Sequence, residues 1–128
     1  KKENLKANLA VGSIFKLPYT ENFFDRIVCI SVMEHFKGKE LNSAVRAMYK
    51  ILKPGGYLVL GFPTKNPISN FIIEHVLGFK PDKIHPSGHK QIIRAIKEEV
   101  KIDKIIHYFS FVPLNYSLYC VVRIKKNK

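Results

Sequence analysis

The sequence is poor in cysteine, in arginine and in long apolar runs, and each shortage removes a class of protein. Cys29 and Cys120 are the only cysteines. Both sit in apolar, strand-like runs and read as small core side chains, not as a disulfide framework or a zinc set. A reducing compartment, the cytoplasm, is therefore expected. No segment approaches the ~20 consecutive apolar residues of a membrane-spanning helix; Phe71-Ile72-Ile73 is cut short by Glu74 and His75. The lysine-rich start lacks the following apolar run and small-residue cleavage site of a secretory signal. Internal repeats and low-complexity segments are missing too.

The formal net charge of +12 invites a nucleic-acid reading. Of the 22 basic residues, however, only Arg26, Arg46, Arg94 and Arg123 are arginines. Bidentate recognition of phosphates and bases favours arginine, whereas lysines dispersed over helix faces and both ends read as a solvated surface. A nucleic-acid partner stays open but disfavoured, and a small molecule is preferred. Nothing in the sequence fixes an oligomeric state.

What is present suits one α/β domain or part of one: 128 residues, 46% of them hydrophobic. Residues 23–63 carry the organising pattern. Ile27-Val28-Cys29-Ile30 is a short apolar run of the kind found where both faces of a strand are covered, so it is expected inside a parallel sheet. Leu41, Ala44, Val45, Met48, Ile51 and Leu52 then form a helical stripe over residues 39–52, stopped by Pro54 and Gly55-Gly56. A second strand follows at once over residues 57–63. Ahead of this unit, residues 8–12 read as a short strand ending in Gly12-Ser13.

After it, Asn66 and Pro67 mark a helix start, with Ile68, Phe71, Ile72, His75 and Val76 as the apolar face and Gly78 as the end. Residues 81–88 read as a loop and residues 90–100 as a helix. Residues 104–109 and 116–124 read as strands whose connection is too short for a parallel crossover, so they must be antiparallel neighbours. His85 and His89 are four apart, but Pro86-Ser87-Gly88 prevents the helical turn that would bring both to one face. A zinc pair is disfavoured on that ground, and a loop near a substrate opening is preferred. Phe71-Ile72-Ile73 and the residue 109–111 loop are weighed as cover for an apolar substrate against ordinary core packing.

Four stretches, Gly12-Ser13-Ile14-Phe15-Lys16-Leu17-Pro18-Tyr19, Phe24-Asp25-Arg26-Ile27-Val28, Val32-Met33-Glu34-His35 and Leu52-Lys53-Pro54-Gly55-Gly56, resemble successive motifs of class I S-adenosylmethionine-dependent methyltransferases in order and spacing. The resemblance implies a Rossmann-like, three-layer α/β fold, its sheet mostly parallel with an antiparallel C-terminal hairpin. It also implies S-adenosylmethionine as cofactor and methyl transfer as the activity. By the same resemblance Gly12, Ser13 and Ile14 would line the adenine, with Ser13 where the family more often has an acid. Ile30 and Ser31 would pass beneath the methionine part.

Glu34 and His35, at the same sheet edge, are the candidate catalytic pair, a carboxylate and an imidazole suited to general acid-base work. Against that stands a structural role: Glu34 favouring a helix N-terminus and His35 packing or capping there. Some quinone-pathway members of the family add a Glu just before this motif and hold a divalent metal with the Glu-His pair. Ser31 stands in that place here, and no metal site is expected.

The family's acidic-x-Gly-x-Gly motif has no counterpart, since no Gly-x-Gly occurs. Residues 1–128 are thus expected to form a partial methyltransferase domain, strands 3–7 of the family fold without strands 1 and 2. Such a part would be inactive by itself. The observed sheet should run in the order 4-5-7-6, with the first segment displaced or poorly packed. The competing readings are a cofactor-less regulatory module completed by a partner chain, and a basic RNA-associated domain.

Overall fold

A computed structural model describes residues 7–76, 78, 85–108 and 113–127, the side chains of residues 69, 72 and 73 excepted. Strand β1 (Phe24–Ile30) leads through a 3-10 turn (Met33–His35) into helix α1 (Lys39–Ile51) and directly into strand β2 (Leu52–Pro63). Helix α2 (Pro67–His75), helix α3 (His89–Glu99), strand β3 (Ile102–His107), a second 3-10 turn (Leu114–Tyr116) and strand β4 (Tyr119–Lys125) follow. The sheet order is β1-β2-β4-β3, the 4-5-7-6 order expected from the sequence. The sheet is mixed: β1 and β2 are parallel, whereas β4 is antiparallel to both β2 and β3.

The α1 stripe works as its spacing predicts. Leu41, Ala44, Val45 and Met48 are buried against Leu58, Leu60 and Phe62 of β2 and Cys120, Val122 and Ile124 of β4, with Ile92, Ala95 and Ile96 of α3 in the same cluster. Helices α1 and α3 are bound to each other as well. Arg46 Nη2 donates to Glu99 Oε1 at 2.8 Å and Arg46 Nε to Glu99 Oε2 at 2.9 Å, while Asn42 Nδ2 donates to Glu98 Oε2 at 3.0 Å. Both helices cover one face of the sheet, and the third layer implied by the resemblance is not represented among the described residues.

The helix α1 ends at Ile51, before Pro54 is reached, because Leu52 already turns extended (φ −78°, ψ 135°). Its exposed carbonyls meet a cation from the far end of the chain: Lys126 Nζ donates to Tyr49 O at 3.0 Å, Lys50 O at 3.3 Å and Leu52 O at 2.7 Å. An ammonium at a helix C-terminus satisfies orphan acceptors and complements the dipole. Gly56 is required where β2 leaves this corner, since a Cβ there would lie 2.7 Å from Asp25 O and 2.9 Å from Lys53 O.

Three expectations are corrected. The residue 8–12 strand does not form; the described stretch from residue 7 is irregular and exposed, with Leu9 94% accessible, because no strand among the described residues lies beside it to pair with. The Ile27–Ile30 run, whose two-sided apolar pattern reads as an inner strand, forms the edge that the expected 4-5-7-6 order gives it. Cys29 is buried, but Val28 and Ile30 are 66% and 50% exposed on the uncovered face. Finally, Ile68, Phe71 and Val76 of the expected α2 core face are exposed, since α2 leaves the sheet after Pro63. The residue 109–111 loop and the 81–84 part of the expected loop lie outside the described residues.

Candidate functional site

Two groups of residues gather near the end of β1, where an open α/β sheet places its ligands. The first is an open groove of about 710 Å³ along the free edge of β1, lined by Gly12, Ile14, Arg26, Cys29, Ile30 and Val32 among others. Its wall is the segment ahead of β1, folded into a turn: Lys16 N–H donates to Ser13 O at 3.0 Å and Phe15 N–H to Ser13 Oγ at 3.3 Å. The Phe15 ring meets the Phe36 ring edge-on at 5.0 Å, and Ile14 packs on the core. Of the five cofactor-binding candidates, Gly12, Ile14 and Ile30 line this groove. Ser13 and Ser31 do not.

Ser31 nevertheless stands out in the backbone. It is a non-glycine residue at φ +54°, a conformation costing about 1–3 kcal/mol that persists only where neighbours impose it. Ser31 N–H donates to Gly61 O at 2.8 Å, and Ser31 Oγ shares a hydrogen bond with Tyr119 Oη at 3.1 Å. The phenol reaches this point because Gly61 has no side chain; a Cβ there would be 3.0 Å from Tyr119 Oη and 2.7 Å from Ile30 Cδ1. Tyr119 was missed in the sequence. The signal available was a tyrosine starting the last strand, which antiparallel pairing sets beside the carboxyl end of β2.

The second group is Glu34, His35 and His85, whose ligand-capable atoms all lie within 4.8 Å of one another. Glu34 is 1% exposed, and its Oε2 has no hydrogen-bond partner among the described residues. The His35 and His85 rings approach to 5.4 Å at 61°. His85 is carried there by Ser87, whose N–H donates to Glu34 O at 3.2 Å and whose Oγ donates to Phe36 O at 2.5 Å. Burial, partly offset by the Glu34 charge, holds the His85 imidazole below its ordinary value and favours the neutral ring. Burial and then the Glu34 charge push the Cys29 thiol up to about 11.

His85 and His89 part company, as Pro86-Ser87-Gly88 predicts. His89 is buried at the start of α3, accepting Lys65 N–H on Nδ1 at 3.1 Å and meeting Asn115 Oδ1 through Nε2 at 3.1 Å. Glu34 does not sit at the N-terminus of α1; that place belongs to Glu40, whose Oε2 accepts Lys37 N–H at 2.9 Å. The dipole role weighed for Glu34 thus passes to another residue. No described helix is long and apolar enough to cross a membrane.

Residues 1–60 match the family described as methyltransferase domain. A search of curated proteins finds no match. Among solved structures, the PH0226 protein of Pyrococcus horikoshii superposes with a TM-score of 0.68 at 16% identity, over 92% of this chain and 58% of that one. A SAM-dependent methyltransferase of Thermotoga maritima gives 0.67 at 16% identity, over 91% and 62%. The N-methyltransferase NodS of Bradyrhizobium japonicum, in complex with S-adenosyl-L-homocysteine, gives 0.63 at 20% identity, over 93% and 54%. The chain spans little more than half the length of these proteins.

Proposed function

We propose, from a chain whose fold is that of the class I methyltransferases and whose N-terminal part matches their methyltransferase domain, that it supplies one side of an S-adenosylmethionine site and the acceptor-facing edge of a methyl-transfer centre. The observation that carries this reading is the groove along the free edge of β1, which brings Gly12 and Ile14 of the segment ahead of β1 together with Ile30 at its carboxyl end. Its volume falls within the range of small-molecule sites, and its mainly apolar lining suits a purine face. When bound, the cofactor would supply an electrophilic sulfonium methyl group, the acceptor's lone pair bonding to the methyl carbon as the carbon–sulfur bond breaks and the sulfur leaves as a neutral thioether.

This chain's residues act around that transfer. Ile14 and Ile30 present apolar walls, and the Ser31 turn holds the backbone beside them. Glu34 and His35 take the proton that the acceptor loses. Proton transfer by a positioned side chain is worth about 100-fold or more. A small-molecule acceptor is preferred because Arg46, Arg94 and Arg123 are already paired with Glu99, Glu98 and Asp103, which leaves no arginine set for nucleic-acid phosphates. Two buried free thiols suit the reducing cytoplasm.

The open edge of β1 favours completion of the sheet by residues beyond these four strands, whether from the same polypeptide or from a partner. The chain itself should therefore bind the cofactor weakly. Titration of S-adenosylhomocysteine at millimolar concentration, followed by amide NMR, is expected to shift Gly12, Ser13, Ile14, Ile30 and Ser31. Micromolar affinity would contradict the shared site, and shifts confined to other residues would remove the groove from the reading. In the complete enzyme, Glu34→Ala and His35→Ala should lower turnover far more than cofactor affinity. Activity lost only in proportion to folded protein would make the pair structural.

A further inference from the structure

We infer that Glu34, His35 and His85 form a binding site for one divalent transition-metal ion of the zinc type. The third ligand comes from the residue 85–88 segment, not from position 31. The donor set is the first argument: two imidazoles and one carboxylate are a recurrent three-ligand set for zinc and related ions with an open coordination position. Their ligand-capable atoms already lie within 4.8 Å of one another. Bonds of about 2.0–2.2 Å around a tetrahedral centre place ligand atoms about 3.4 Å apart, so that binding needs the three side chains to draw together by no more than about 1.4 Å.

The second argument is independent of composition. Glu34 is 99% buried by its 1% exposure, yet Oε2 has no hydrogen-bond partner among the described residues. A carboxylate taken out of water in that way is unfavourable unless something positive meets it. A bound cation at the convergence of the three side chains removes this deficit. The segment bearing His85 is held to the Met33–His35 turn by Ser87 N–H on Glu34 O and to the residue after it by Ser87 Oγ on Phe36 O, so the ligands are set from two segments fastened to each other. His35 is exposed, which turns the open coordination position toward solvent and an incoming acceptor. The inference extends the reading of Glu34 and His35 as the acceptor-facing pair, but metal binding is measured without cofactor or acceptor.

The test uses the untagged chain, stripped with a chelator and dialysed. Calorimetric titration with Zn²⁺ is expected to give one site of micromolar or tighter affinity, and Co²⁺ should develop the visible absorption of a low-symmetry site. Glu34→Gln, His35→Ala and His85→Ala should each weaken Zn²⁺ binding by more than about tenfold, while His75→Ala on exposed α2 should leave it unchanged. Circular dichroism establishes that each variant is folded, and Zn²⁺ should raise the thermal midpoint of the wild type but not of Glu34→Gln. Absence of binding tighter than millimolar, or binding that survives Glu34→Gln and His85→Ala, overturns the inference. Either result leaves the cofactor titration above untouched, so the two readings fail separately.

Discussion

The two faces of the sheet are built from similar residues and live in different surroundings. On one face Leu58, Leu60, Phe62, Cys120, Val122 and Ile124 are buried under α1 and α3. On the other, Ile30, Gly61, Val121 and Ile106 form a row across all four strands, joined by their pairing, and Ile30 and Ile106 are exposed. Strand propensity is satisfied on both. What differs is whether a neighbour arrives, and a β-branched side chain carries no record of that. Burial belongs to the assembled layers, so equal hydrophobicity on the two faces should translate into very unequal stability.

The largest expected effect follows directly. Leu58→Ala should cost about 2–5 kcal/mol, the range for a leucine removed from a closed core, whereas Val59→Ala on the opposite face should cost under about 1 kcal/mol. Urea unfolding followed by circular dichroism measures both, and equal losses would erase the distinction between the faces.

Thiol chemistry sharpens the same comparison, because Cys29 and Cys120 both point to the covered side. Burial disfavours the thiolate and pushes each thiol up from 9.0 to about 11. At pH 8 the folded chain should hold roughly a hundredfold less thiolate than the unfolded chain. Iodoacetamide should therefore label the native protein slowly, faster as pH rises toward 11, and rapidly at any such pH in denaturant. Fast native labelling would mean that the covered face opens.

A smaller effect is expected at Gly61, where the two faces are joined through the Tyr119–Ser31 contact. Gly61→Ala drives a methyl group against Ile30 and Tyr119 and should cost about 1–3 kcal/mol. Gly12→Ala, with nothing within 4 Å and no positive φ, should be nearly neutral in the same melt. The smallest change in stability belongs to Val28→Lys, within about 0.5 kcal/mol. Its signature is in sedimentation: a charge on the open edge should reduce any concentration-dependent association, and unchanged sedimentation would mean that the edge is not a contact surface.

The parts of the fold legible in the sequence are those fixed by local chemistry. The strand-helix-strand unit follows from a continuous stripe and an abrupt Pro-Gly-Gly stop, and the antiparallel placement of β4 follows from a connection too short to cross over. The place of β4 between β2 and β3 was not legible in those two facts and came from what the resemblance implies. Less legible was anything decided by a distant partner. Residues 8–12 have strand-like composition but no described strand to pair with, and Ile68 and Phe71 of α2 are left exposed. In the candidate site, Glu34 and His35 were visible as neighbours after a strand. His85 was not, because its place beside them is set by Ser87 hydrogen bonds to Glu34 and Phe36, the latter spanning 51 positions of sequence. Tyr119 was hidden for the same reason, its contact with Ser31 spanning 88.

The bond from Lys126 to the end of α1 has a consequence for how the chain comes together. As a ribosome delivers residues in order, β1, α1 and β2 emerge 74–77 positions ahead of the ammonium that later meets the carbonyls of Tyr49, Lys50 and Leu52, with Tyr49 O and Lys50 O already accepting Leu52 N–H and Asn22 N–H. The strand that precedes that lysine comes after the other three described strands in sequence, yet it occupies an inner place in the sheet, between β2 and β3. Before β4 is made, the described strands can offer only the parallel β1–β2 pair around α1. Closure requires β4 to enter between its neighbours, and only then does the lysine reach its carbonyls. Such long-range contacts make folding slow relative to locally connected helical domains. Between the synthesis of β2 and that of β4 the inner edge of β2 consequently lacks its partner, the interval in which a chaperone would find it.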